Sequence, residues 1–201
     1  MTSLTTQPLS KPAAFRHDPL TITLHWMTAF LVLAQFASAH IWDLLEKGTS
    51  WRISLIMTHL AFGLLLTVTV VARIAWRLLR RERLPPAVSG LQQLAATAVH
   101  MLLYCLLVAQ VVLGFLFSWS SGKPLPFFNL FAIPVPLTID PSLRHTIAEL
   151  HNDGAWAIIA VVGLHAAAAL MHHYVLRDGV LMRMLPGGSA KIGRSSASFR
   201  L

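Results

Sequence analysis

The chain has 201 residues, of which 55% are hydrophobic and only 12% charged, and its mean hydropathy is +0.63. This excludes an ordinary water-soluble domain, in which about one residue in four is charged. The formal charge of +8 sits at the ends of apolar runs, not on a folded basic face, which excludes nucleic acid as a partner. The single cysteine, Cys105, excludes a disulfide framework and a cysteine-based zinc or iron–sulfur centre.

Residues 1–19 carry Lys11 and Arg16 but no short apolar core followed by a cleavage site, so they read as a flexible arm, and the first span is expected to be retained. Beyond them the charges leave four gaps: 24 positions between Asp18 and Asp43, 20 between Arg52 and Arg73, 39 between Arg83 and Lys123, and 23 between Asp153 and Arg177. A helix crosses the hydrocarbon core with about 20 apolar residues. The gaps predict helices over about 20–42, 53–76, 91–119 and 147–174, with Trp26, Trp42, Trp51, Trp76 and Trp119 near the ends, where indole rings favour the headgroup region. Five prolines among the phenylalanines of 120–146 predict an ordered outer loop without a long helix. The Ser/Gly/basic stretch 187–201 reads as a disordered tail attracted to anionic lipid. The fold class is all-α, an integral membrane four-helix bundle over 20–186. Twelve Lys and Arg fall on the side holding both termini and the 77–90 loop, against four on the other side, so both termini are expected in the cytoplasm.

Histidine is the residue type that carries chemistry here. His25, His59, His100, His151, His165 and His172 lie within or at the ends of spans, where a polar side chain is costly and usually functional. The apolar stretches hold no carboxylate relay, no Ser-His-Asp spacing and no phosphate-cradling glycine motif. Depth along the spans sorts four of them into two pairs: His25 with His165 near the cytoplasmic face, and His59 with His151 near the outer face. His151 and His165 are 14 residues apart, close to four turns, so one helix offers both to the same side about 21 Å apart. That is the arrangement two stacked b-type haems need, each iron held by imidazoles from two helices. Gly63 and Gly163 offer room for a flat macrocycle.

Other readings stand beside this one. A lone intramembrane histidine often serves as interhelical glue. Zinc favours ligands clustered at one point, whereas these pairs lie at opposite faces. His40 is a competitor of His59, although a surface role is the plainer reading. His100 fits a contact to a propionate, to quinone or to packing. His173 points about 100° away from His172. His17 and His145 read as surface residues, and Tyr104 and Cys105 as core.

The run His25-Trp26, the pair Thr58-His59 followed by Gly63, and His151 with Gly163-Leu164-His165-Ala166-Ala167-Ala168 through His172-His173-Tyr174 together resemble the bacterial cytochrome b561 family. The resemblance extends from about Arg16 to Pro186 and is greatest to the superoxide oxidase branch. It implies an inner-membrane protein with two haem b groups, the cytoplasmic-side one on His25 and His165 and the outer one on His59 and His151. It also implies His172 as a ubiquinone contact. Seven residues beyond His165, His172 returns to nearly the same helical face.

Imidazoles on both axial positions favour outer-sphere electron transfer over chemistry at the iron. The expected function is single-electron transfer between the quinone pool and an outer donor, as a superoxide:ubiquinone oxidoreductase. Superoxide is an anion, yet Lys47, Arg52, Lys123 and Arg144 face five acids on the outer side, Asp43, Glu46, Asp140, Glu149 and Asp153, so net charge supplies no funnel. The alternative is a cytochrome b subunit linking quinone to a periplasmic redox protein that docks on the Phe-rich 124–136 loop. A haem-free histidine-based transporter is a third class, and it lacks an acidic relay.

Overall fold

The computed structural model describes residues 16–80, 85–128 and 130–186. Four helices follow one another up and down: α1 (Pro19–Asp43), α2 (Ser50–Leu79), α3 (Gly90–Trp119) and α4 (Arg144–Met171). At about 1.5 Å per residue even the 25 residues of α1 exceed the hydrocarbon thickness, and all four helices are long and apolar enough to cross a membrane. Their outward faces carry Phe30, Val68, Leu94 and Leu164, each more than 60% exposed. Such faces are unfavourable in water and natural against lipid, so the chain is a multi-pass membrane protein.

α1, α2 and the turn that leads into α4 begin where a side chain satisfies the first amides. Asp18 caps α1 by accepting from the Thr21 amide at 2.9 Å, and the Thr49 hydroxyl accepts from the Arg52 amide at the start of α2. The Asp140 carboxylate accepts from the Ser142 amide at 2.9 Å and opens a 3-10 turn, Pro141–Leu143, that runs straight into α4. α4 therefore starts at Arg144, three residues before the expected 147. The 120–146 connection has no long helix of its own, as its prolines require, but it is more regular than a loop. Strands β1 (Leu125–Phe127) and β2 (Phe131–Ile133) pair antiparallel with Leu125 opposite Ile133 and Phe127 opposite Phe131. This hairpin lies on α2, with the Phe128 ring 6.4 Å from that of Phe62.

The helices pack as two hairpins, α1 along α2 and α3 along α4, and contact between the two pairs is sparse. They meet in one buried layer: Leu31 and Val32 of α1, Leu66 and Val70 of α2, Leu107 of α3 and Ile158 of α4. Ile158 is midway between His151 and His165, so the bundle is closed at its waist and looser on either side of it. One end carries the β-hairpin; the other is rich in arginine and is covered by the segment after α4. There Arg16 donates to the carbonyls of Met182 and Leu185, Trp26 Nε1 to that of Met184 at 2.7 Å, and Arg183 to that of Pro85 at 2.8 Å. Residues 16–18 are thus tied down, unlike the arm expected over 1–19. Its first 15 residues and the expected tail 187–201 lie outside the described residues.

The same contacts correct His17, which is half-buried, not a surface group: burial and the nearby Arg80 and Arg183 guanidiniums hold its pKa below the ordinary histidine value. Cys105 is exposed on the outer face of α3, not in the core.

Asp18 also pairs with Arg80 of α2. Burial works to raise its carboxyl, but the hydrogen bonds from Thr21 and the Arg80 charge outweigh that and hold it below the ordinary 3.8. Its contribution is therefore full above that pH and is lost as pH falls from there through the lower folded value. Asp18→Ala is expected to cost about 1–2 kcal/mol at neutral pH, read as a lower unfolding temperature in detergent, with the gap to wild type closing in acid.

Candidate functional site: two histidine pairs

The four intramembrane histidines meet as two pairs, one on each side of the waist. At the arginine-rich end the rings of His25 (α1) and His165 (α4) have centroids 6.4 Å apart at 72°. At the hairpin end those of His59 (α2) and His151 (α4) are 6.5 Å apart at 74°. The depths match as the pairing requires. His25 is six residues from the start of α1 and His165 six from the end of α4, whereas His59 and His151 are nine and seven from the starts of α2 and α4.

These separations allow a direct test of fit. Two imidazoles on opposite faces of one metal, each bound at about 2 Å, have centroids about 6 Å apart. Both pairs stand at that spacing, too far for a hydrogen bond between rings and too close for an intervening side chain. The hairpin-end pair has further features of a ligand set. The one proton of the Ser38 hydroxyl goes to the Gln35 carbonyl at 2.9 Å, so His59 donates its Nδ1–H to that hydroxyl at 3.1 Å and keeps the lone pair on Nε2. The Nδ1 of His151 is buried with no hydrogen-bond partner among the described residues. Gln110 of α3 donates to the His151 carbonyl at 2.8 Å, holding the ligand-bearing turn against α3. A Cβ on Gly114 would come within 3.3 Å of the His151 ring, so that ring is seated directly on α3 backbone.

The remaining expectations divide. Gly163 is exposed, with open space where a Cβ would be, and the space at Gly63 is taken by the Gln35 amide 3.1 Å away. His40 is half-buried, not at the surface. It donates Nδ1–H to the Phe36 carbonyl at 2.9 Å and packs with Phe36 and Trp156 in one aromatic cluster. His145 is a surface residue beside Glu149. His100 joins the arginine-rich end, its ring 5.2 Å from that of His165; this falls short of the span two ligands of one iron need. Tyr104 lies not in the core but under the guanidiniums of Arg73 and Arg77.

His172 closes α4 at a π-helical turn, His172–Leu176, which ends on Arg177 in the left-handed region at φ 52°. Its Nδ1 meets the Asp178 carboxylate, whose other oxygen accepts from the Val180 amide at 3.1 Å. Burial works to raise the Asp178 carboxyl, yet its hydrogen bonds, that of His172 first, hold it below the ordinary carboxylate range. π turns of this kind are frequent at functional sites. Spacing gave no sign of Asp178, because only the turn brings it back to His172.

Comparison with known proteins gives the setting. The profile of the prokaryotic cytochrome b561 family matches residues 16–187. "Cytochrome b561 homolog 2" of Escherichia coli K12 is 31% identical over 179 residues, 89% of this chain and 95% of its own. "Cytochrome b561 homolog 1" of the same organism is 30% identical over 85% of this chain and 97% of its own. "Probable superoxide oxidase CybB" of Yersinia pestis is 29% identical over 85% and 96%.

Proposed function

The chain belongs to the prokaryotic cytochrome b561 family, whose work is electron transfer in the membrane, and from that premise we propose that it is a di-haem b cytochrome passing single electrons from superoxide at the hairpin end to ubiquinone at the arginine-rich end. The observation that carries this reading is the equal spacing of the two histidine pairs, 6.4 and 6.5 Å, on either side of a closed waist. His25 and His165 would hold one haem, and His59 and His151 the other. A haem held by two imidazoles would supply a reversible one-electron store.

The protein's own residues do the rest. α4 bears a ligand for each site about 21 Å apart along its axis, with Ile158 and its layer keeping water out between them. Ser38 fixes the ring of His59, as outer partners of metal ligands do. The balance is two superoxide anions giving two electrons and two molecules of dioxygen, while ubiquinone takes two electrons and two protons to become ubiquinol. His172, anchored through Nδ1 by Asp178, is the proton-bearing group suited to that second half. The arginine-rich end, where the described residues begin and end, faces the cytoplasm in this reading, in keeping with its excess of basic residues.

Superoxide as donor is supported by the name of the Yersinia relative. Two features favour a second reading, in which a periplasmic redox protein is the donor. The guanidiniums of the hairpin end are engaged internally: Arg52 donates to the carbonyls of Trp42 and Leu45, and Arg144 to Phe117 and Ser120. The hairpin also exposes Phe128, Leu130 and Phe131. A reduced-minus-oxidised spectrum of the detergent-purified protein, with haem counted per chain and superoxide then added, separates the readings. Two haems reduced by superoxide and reoxidised by ubiquinone are expected. Two haems indifferent to superoxide would transfer the role to the electron-transfer subunit, and a protein without haem would overturn both.

A further inference from the structure

The two histidine pairs differ in charge. Around His59 and His151 the contacts are neutral: Ser38, the edge of Trp42 at 4.9 Å, Gln110 and Gly114. The nearest charges along α4, Glu149 and Asp153, are acidic and exposed. At the other pair, Arg73 of α2 places its guanidinium 3.1 Å from His25 Nδ1 and 5.3 Å from the centre of the Tyr104 ring, and Arg77 lies over the same ring at 5.3 Å. Arg73 is half-buried inside a membrane helix, where a cation is retained only with a partner to satisfy it.

The partner it has here does not survive ligation. A guanidinium only donates, so the contact needs a lone pair on His25 Nδ1, which puts the ring's proton on Nε2. His59, by contrast, donates from Nδ1 and has Nε2 free. Once Nε2 of His25 takes a metal, its proton moves to Nδ1, the contact becomes donor against donor, and Arg73 needs another acceptor. Haem b brings two carboxylates with it. We propose that Arg73, braced on Tyr104, binds a carboxylate of the arginine-rich-end haem and that its charge sets the potential of this haem above that of the hairpin-end haem. Adding an electron beside a fixed cation is favourable, and in a site of low dielectric the effect is large. The electron thereby gains a direction, from the neutral site to the positive one. This inference rests on the two-haem reading above.

The test is an optical redox titration of the full-length protein in detergent, with His151→Ala used to assign the waves. Two waves are expected in the wild type, and the one surviving in His151→Ala is the higher. Arg73→Gln is expected to lower that wave by at least a tenfold change in equilibrium constant, 59 mV for one electron, and to leave the other wave in place. Arg73→Lys keeps the charge and is expected to stay within threefold of wild type. The inference is overturned if the surviving wave is the lower one, if Arg73→Gln moves neither wave or both equally, or if Arg73→Lys falls as far as Arg73→Gln. The lysine variant decides the matter even where Gln costs the haem. Failure of the underlying reading is distinct: haem content of one or none per wild-type chain.

Discussion

His165→Ala and His25→Ala are each expected to lower haem from two per chain to one, and so are His151→Ala and His59→Ala, with the haem lost differing between the two sets. Loss of one imidazole leaves an iron with a single protein bond in a site whose walls, α1 with α2 against α3 with α4, touch sparsely except at the waist. Little besides the two ligands and the macrocycle's own packing holds such a group. The waist keeps the other site intact, since Ile158 and its neighbours do not depend on either pair. Haem extraction with absorbance quantification measures the count, and the potential of the surviving wave tells which site remains. His100→Ala is the control: at 5.2 Å its ring is too near that of His165 to be the opposite ligand, so both haems are expected to stay. Loss of one haem in His100→Ala together with full content in His25→Ala would move the ligand assignment to His100, and full content in all four pair variants would refute it.

The parts of this architecture legible in the sequence follow from quantities fixed along the chain. Charge-free gaps set the spans because an unpaired charge in hydrocarbon is prohibitive, and all four helices lie over the expected stretches. The pairing by depth was legible because axial position depends on rise per residue alone, so His151 and His165 fall on either side of Ile158 whatever the neighbours do. What stayed hidden depends on rotation about the helix axes and on turns. Gln35 fills the space beside Gly63, Gly114 seats His151, and Arg73 reaches His25 from another helix. No spacing within one helix reports such contacts. The β-hairpin was masked by prolines, which exclude helix but not a short edge pairing. Asp178 meets His172 only because the chain leaves α4 through a π turn and a left-handed Arg177.

That last geometry gives the prediction on which the quinone side of the function turns. His172→Ala is expected to keep both haems and their reduction by superoxide, while the rate at which ubiquinone reoxidises the reduced protein falls by about 10²-fold. The separation is expected because His172 is two turns beyond His165 at the covered end of the bundle, outside both ring pairs, and its Nδ1 is taken by Asp178. Only Nε2 is left to face a substrate. Asp178 fixes the imidazole through its other nitrogen, as an outer carboxylate orients a working histidine. Asp178→Asn keeps a hydrogen-bonding group behind the ring, so it is expected to slow reoxidation less than His172→Ala. Stopped-flow mixing of the superoxide-reduced protein with a soluble ubiquinone, followed at the haem bands, reads both effects. Unchanged reoxidation in His172→Ala would place the quinone elsewhere on the bundle, and a loss of haem in that variant would make His172 part of the haem site instead.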